Sequence, residues 1–270
     1  MTDVSAAPLG AAAPSPLDPG DAVAAALCAR VHAVPCAEDH ALPPRRPGPR
    51  VIAFLNAHAV NLSAASPDAA AAFLGADLLL RDGIGVKIMM RLLGFDPGAN
   101  ANGTDLIPRI AAARGRRVAL YGALPGVAEE AASALRALGA RVVATRHGYH
   151  PSADYEKWML EDAPDLLILG MGAPRQEILA DTLRARARVA GLDVDIVCGG
   201  AILDFLSGRS RRAPRWMRAA GLEWAHRLIM EPRRLARRYL LGNPVFLMRA
   251  LRLAAARRIE LGESADGARR

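Results

Sequence analysis

The chain has 270 residues, 52% hydrophobic and 23% charged, and its 35 Lys and Arg against 27 Asp and Glu give a formal net charge of +8. That length admits one large domain, alone or with appendages, with a substantial buried core, and the charge favours acidic partners. The first residues lack a basic n-region and no apolar run approaches the roughly 20 residues of a spanning helix, which excludes a secreted or membrane-crossing protein.

Residues 1 to about 20, rich in alanine and proline, read as a disordered leader, possessing little to bury. A short apolar helix over 21–28 and a connector through Pro43, Pro44, Pro47 and Pro49 complete a leader and linker over 1–45. The first strand is expected at 50–55, ending at Asn56-Ala57-His58, with a helix over 60–74. A strand at 76–80, a turn at 81–85, a helix at 86–93 and a loop at 94–102 follow. Gly103-Thr104-Asp105 then opens a helix, with Thr104 or Asp105 as N-cap.

Residues 117–145 read as strand, glycine turn, alanine-rich helix and strand, a βαβ unit that requires parallel pairing. The most apolar strand, 165–169, leads through Gly170-Met171-Gly172 and Pro174 into a helix reaching about Arg186. A last strand at 194–197 ends at Cys198-Gly199-Gly200 before a short helix over 201–206. The alternation predicts an α/β fold, a Rossmann-like, mostly parallel sheet with flanking helices over 46–208. An arginine-rich helical appendage over 209–258 and a disordered tail over 259–270 complete the chain.

Ligands of such sheets bind outside the strand carboxyl ends, which selects Asn56, Asp82, Gly122, Gln176, Glu177 and Gly200. Asp193-Val194-Asp195 resembles an acid-x-acid metal site but precedes its strand, at the opposite edge, and reads as a solvated strand start. Gly170 and Gly172 lack the third glycine of a dinucleotide fingerprint, though such glycines let backbone amides approach phosphate oxygens. Asp82 is either a general base for a sugar hydroxyl or a turn aspartate capping the next helix. Gln176 and Glu177 are pocket groups or caps of their own helix, and His58 and His147 read as core or loop hydrogen-bonding groups. Cys28, Cys36 and Cys198 show no metal-ligand spacing, and Cys198 reads as a buried reduced thiol, which favours the cytoplasm.

The stretch 209–239 carries far more arginine than its two carboxylates, Glu223 and Glu231, can neutralise, so an external anion is the simplest partner. Nucleic acid, a lipid headgroup and a diphosphate all qualify. Trp216, Trp224 and Leu228 recur at spacings that form one apolar helical face rather than a repeated stacking platform for bases. A further reading packs this stretch on the sheet as an ordinary amphipathic helix with solvated arginines.

An ordered set of motifs spans residues 50–241. It comprises Asn56-Ala57-His58, Asp82-Gly83-Ile84-Gly85, Gly103-Thr104-Asp105, Tyr121-Gly122 with Pro125-Gly126, and His147-Gly148-Tyr149. Gly170-x-Gly172-x-Pro174-x-Gln176-Glu177, Arg212-Ala213-Pro214, Gly221-Leu222-Glu223-Trp224 and Glu231-Pro232-Arg233-Arg234 follow. Together they resemble the WecG/TagA/CpsF glycosyltransferase family. The resemblance implies a transferase that needs no metal or cofactor and moves a sugar, with inversion, from a UDP-sugar donor to a polyprenyl-diphosphate-linked saccharide. It implies a cytoplasmic protein peripheral on the inner face of the plasma membrane, with an anionic lipid surface and no nucleic acid as partner, homo-oligomerisation left open.

On that basis Asp82 matches the family's proposed general base. Asn56 and Gln176 match the substrate pocket, with Gly103, Thr104, Gly122, Gly172 and Glu177 as further candidates to line it. Arg227, Arg234 and Arg237 match arginines thought to meet diphosphate, their spacing aligning them on one helical face except for the break expected at Pro232. Phe54, where many members have threonine, and Asn100, where some have arginine, depart from the pattern and leave the donor sugar open. The alternative from another class is a noncatalytic arginine-rich nucleic-acid-binding protein.

Overall fold

Seven short apolar runs form the strands, and every pairing between them is parallel: β1 (Val31–His32), β2 (Arg50–Leu55), β3 (Leu78–Arg81), β4 (Arg117–Gly122), β5 (Arg141–Arg146), β6 (Leu166–Gly170) and β7 (Asp195–Cys198). They lie in one sheet in the order β1-β3-β2-β7-β6-β4-β5. The computed structural model describes residues 17–34, 42–44, 47–113 and 116–267, with side chains as far as residue 259. Residues 1–16 of the leader expected over 1 to about 20, and Cys36, lie outside the described residues. The fold is the expected α/β architecture, a parallel sheet flanked by helices with a helical C-terminal segment.

Helices on both faces bury the sheet, which is why its strands are almost continuously apolar. Side chains alternate across β2: Val51, Ala53 and Leu55 join one hydrophobic core and Ile52 and Phe54 the other. The first core takes side chains from the helices Ala57–Ala65, Pro67–Leu74, Ile84–Leu92, Ser152–Asp162 and Arg175–Val189, the second from Gly103–Ala111, Val127–Ala137 and Ile202–Leu206. Because all strands run the same way, the residues after β2, β3, β4, β6 and β7 gather along one edge.

Local differences from the sequence reading have local causes. The helix expected over 60–74 is two, because Ser66 Oγ accepts from Ala69 N as an N-cap and Pro67 starts the second. Asn102, not Thr104 or Asp105, caps the next helix, its Oδ1 accepting from Asp105 N at 3.0 Å. Ser152–Asp162 was not anticipated; it buries only Tyr155 and Met159, one turn apart, which is a faint periodic signal. The helix Pro19–Arg30 extends two residues beyond 21–28 at each end and buries Ala24, Leu27 and Cys28, while the last helix, Gly242–Gly267, continues past residue 259 where a tail was expected.

Asp195 corrects a further expectation: the strand start is not solvated. It is 1% exposed and accepts from Arg50 Nε at 3.0 Å and Arg50 Nη2 at 3.1 Å, with Arg116 Nη2 on its other side. Burial, which raises a carboxyl, is outweighed by these guanidinium groups, and Asp195 is held below the usual carboxylate range. Asp195→Ala leaves two partly buried cations unpaired and is expected to cost about 3 kcal/mol in urea unfolding; a loss within experimental error would show the cluster to be energetically neutral.

Candidate active site

Asp82 directly follows β3, and its backbone N–H extends the ladder by donating to Leu55 O at 2.9 Å. Gly83, with φ 86° in the left-handed region, turns the chain into the helix Ile84–Leu92 and caps it without any side chain. The Asp82 carboxylate is therefore not spent on a cap. Asn56, at the end of the neighbouring β2, caps Ala57–Ala65 by accepting from Ala59 N at 3.0 Å through Oδ1, and its side chain also hydrogen-bonds Asp82. Two adjacent strands thus deliver an amide and a carboxylate to one point.

Arg81, 4% exposed, shapes the loop beside them. It donates to Pro97 O at 2.8 Å, Gly98 O at 3.0 Å, Gly83 O at 3.1 Å and Asn100 Oδ1 at 3.3 Å. Asn100 Oδ1 also accepts from Gly83 N at 2.9 Å. The Asn100 departure therefore builds the Asp82 turn itself.

Over this edge arches the segment 209–241. Arg212 forms a two-pronged ion pair with Asp105, with Nη2 to Oδ2 at 2.7 Å, and the first of its effects is to hold that carboxyl down at about 2. Arg227, in the helix Glu223–Met230, lies 5.5 Å from the Phe205 ring centroid, and Trp224 meets Tyr239 at 5.9 Å between centroids. Arg227 and Arg238 thereby come within electrostatic range of Asp82. Burial pushes the Asp82 carboxyl up; Arg227, then Arg238, the Asn56 hydrogen bond and Arg81 oppose it. Arg227 Nε and Arg238 Nε are buried without a hydrogen-bond partner. Buried guanidinium donors left unpaired beside a half-buried carboxylate form a site suited to an anion and a proton acceptor together.

Two more groups belong here. Burial, then Arg238, lowers His58 to about 4, so it is a neutral imidazole near neutral pH. Glu223 is raised by burial and by Asp82, against the pull of Arg212 and Arg227.

Of the arginines expected from sequence, only Arg227 faces Asp82. Arg234 is exposed and paired with Glu231, its Nε 2.5 Å from Oε2, and Arg237 is exposed. The segment is not one helix: Glu223–Met230 and Pro232–Ala236 are separate and Arg237–Leu241 is a π-helical turn, so spacings of seven and three do not share a face. Arg238, not singled out from the sequence, acts on Asp82 instead, and nothing in the local sequence separates it from Arg237. Trp216 and Trp224 likewise sit on different helices, at 66% and 38% exposure, and form no buried face.

Gln176 is not a cap either. Its Oε1 accepts from Gly200 N at 3.0 Å, Gly172 N at 3.2 Å and Met171 N at 3.3 Å, tying the ends of β6 and β7 together. Its Nε2 donates to Glu177 Oε1 at 2.8 Å. Gly103 sits against Phe54, where a Cβ would come 3.2 Å from Cε2, so the Phe54 departure lines the floor below the Gly103-Thr104 turn. Gly122 is four strand spacings from β3, about 19 Å across the edge, and its Cβ would strike Gly170 at 2.4 Å, which explains the glycine by packing. His147 accepts from Tyr149 N at 3.2 Å and stacks on His150 at 3.9 Å, a loop role as expected. Among the described residues no three His, Cys, Asp or Glu side chains converge as a metal site.

With this geometry in place, comparison with known proteins is informative. The family model "Glycosyl transferase WecG/TagA/CpsF family" matches residues 31–260. The chain is 30% identical over 182 residues, 65% of its length and 69% of the relative's, to the N-acetylglucosaminyldiphosphoundecaprenol N-acetyl-beta-D-mannosaminyltransferase of Bacillus subtilis (strain 168). It is 28% identical over 196 residues, 69% of its length and 73% of the relative's, to the protein of the same name from Bacillus spizizenii (strain ATCC 23059 / NRRL B-14472 / W23).

Glu177 is 2% exposed with Oε2 unpartnered, and burial pushes its carboxyl up to about 7. Folded protein thus binds this proton more tightly than unfolded protein, so stability falls as pH rises from about 4.5 to about 7. Glu177→Gln is expected to remove this contribution, on the order of 3 kcal/mol, from urea titrations across that range. An unchanged pH profile would place the proton elsewhere.

Proposed function

The chain belongs to the WecG/TagA/CpsF glycosyl transferase family, and we propose that it moves a sugar from a UDP-linked donor to a polyprenyl-diphosphate-linked saccharide, with inversion, for a cell-surface polysaccharide. Family membership sets aside the noncatalytic nucleic-acid reading. The names of the two Bacillus relatives describe an acceptor carrying N-acetylglucosamine on diphosphoundecaprenol, which supports the acceptor class.

The observation that carries the reading is the half-buried Asp82 carboxylate facing Arg227 and Arg238, whose Nε donors are unpaired. In the proposed reaction Asp82 takes the proton of the acceptor hydroxyl as its oxygen bonds to the donor's anomeric carbon. The bond to the UDP oxygen breaks and its electron pair leaves with UDP. Arg227 and Arg238 meet diphosphate charge, and Asn56 orients Asp82 through its hydrogen bond. Gln176 and Glu177 act by position: Gln176 holds the amides of the two glycine turns on its own Oε1 and so fixes the ends of β6 and β7 beside the donor. A base with a raised pKa becomes competent as pH rises, so the rate is expected to climb through its acid limb.

Residues 209–258 form the acceptor-facing and membrane-facing appendage of the core. Residues 232–259 hold eight arginines and no Asp or Glu. Large apolar side chains, among them Ile229, Leu240, Leu241, Met248 and Leu251, are at least half exposed. Among the described residues no helix is long and apolar enough to cross a membrane. Apolar surface interleaved with arginine suits peripheral attachment to anionic lipid at the inner face of the membrane, where a polyprenyl acceptor resides.

The decisive experiment follows UDP release from a panel of UDP-sugars with a prenyl-diphosphate-linked N-acetylglucosamine acceptor. Asp82→Asn is expected to lower kcat by about a hundredfold or more while the donor KM changes little. Wild-type turnover by that variant would remove Asp82 as the base.

A further inference from the structure

The helix Pro19–Arg30 precedes the family match, yet it buries a charge against the opposite end of the chain. Asp21 is 2% exposed and accepts from Arg249 Nη1 at 2.5 Å, from Arg252 Nε at 2.9 Å and from Arg252 Nη2 at 3.1 Å. Both arginines belong to the helix Gly242–Gly267. Packing at the crossing is tight: a Cβ on Gly20 would stand 2.8 Å from Ala64 O and 2.9 Å from Arg249 Nη1. A second tie holds the start of the same helix, where Asn61 Nδ2 donates to Gly242 O at 2.7 Å.

Phe246, Ala250 and Leu253 turn the buried face of this helix to the core. Upstream, Pro232–Ala236 and the turn Arg237–Leu241 run into it without a gap. Arg238 stands four residues before Gly242, so its place beside Asp82 depends on where the last helix is fixed. Arg249 is 11% exposed at its side chain, and losing its carboxylate partner leaves a desolvated cation, which the helix can relieve only by shifting or rotating.

We propose that Asp21 is a positioning residue for sugar transfer: through Arg249 and Arg252 it holds the last helix in the register that brings Arg238 to Asp82. The catalytic consequence rests on the function proposed above; the structural one does not.

The test uses the full chain with Asp21→Asn, the pair Arg249→Met and Arg252→Met, and all three substitutions together. Expected for Asp21→Asn are a kcat lower by about tenfold, a donor KM within about twofold of wild type, and faster hydrogen exchange over 237–253 with β6 unchanged. Added to the double arginine variant, Asp21→Asn is expected to have no further effect on either readout. Should Asp21→Asn fail to fold, Arg252→Met alone, at a half-exposed position, provides the same contrast. Unchanged exchange over 237–253, or a kcat loss matched by faster exchange throughout, β6 included, overturns the proposal. If the wild-type chain transfers no sugar, the exchange measurements still decide the brace, and the failure belongs to the proposed function.

Discussion

The electrostatic coupling of Asp82 with Arg227 and Arg238 is the constraint on which the rest depends. A carboxylate removed from water is pushed towards its neutral form, and a guanidinium group removed from water loses hydration it must recover from partners. Asp82 and Arg238 each supply the other with part of what burial withholds. The match is incomplete, because two arginines face one aspartate and both retain an unpaired Nε. Buried donors left unpaired beside a carboxylate are chemistry suited to an anion.

That coupling is assembled from distant parts of the sequence. Parallel pairing puts the ends of β2 and β3 side by side, which makes Asn56 a neighbour of Asp82. Arg212 pins the later segment to Asp105, Trp224 packs on Tyr239, and the last helix is tied down by Asn61 and Asp21. Arg81 and Asn100 hold the intervening loop open beside the carboxylate. The strand edge is thus rigid on the sheet side, while its arginine side rests on a chain of contacts reaching back to the N-terminal helix.

The fold was legible in the sequence because period and punctuation are local: apolar runs ending in Gly, Asn or Asp, with helical patterns between them, admit few arrangements other than a parallel sheet. The strand-end rule also brought Asn56 and Asp82 forward without any distance. Choices of cap were less legible, since Asn102, Thr104 and Asp105 all satisfy the same chemistry and only backbone geometry selects among them. Which arginine lies near Asp82 was not legible for a different reason. Arg237 and Arg238 are chemically identical neighbours, and the π-helical turn that directs one inward and the other outward has no composition of its own.

A net charge of +8 does not by itself say where positive potential reaches solvent. Arg50 and Arg116 are committed to buried Asp195, Arg249 and Arg252 to Asp21, Arg212 to Asp105, and Arg81 to backbone carbonyls. Such groups present little positive potential to solvent, since a paired or carbonyl-bound guanidinium has its field largely spent nearby. What remains without a carboxylate partner among the described residues is a smaller set, and it includes Arg227 and Arg238 near Asp82. Pairing therefore does for this protein what net charge could not: it separates arginines held by a carboxylate or a backbone carbonyl from Arg227 and Arg238, which lie near Asp82 with no ion pair among the described residues.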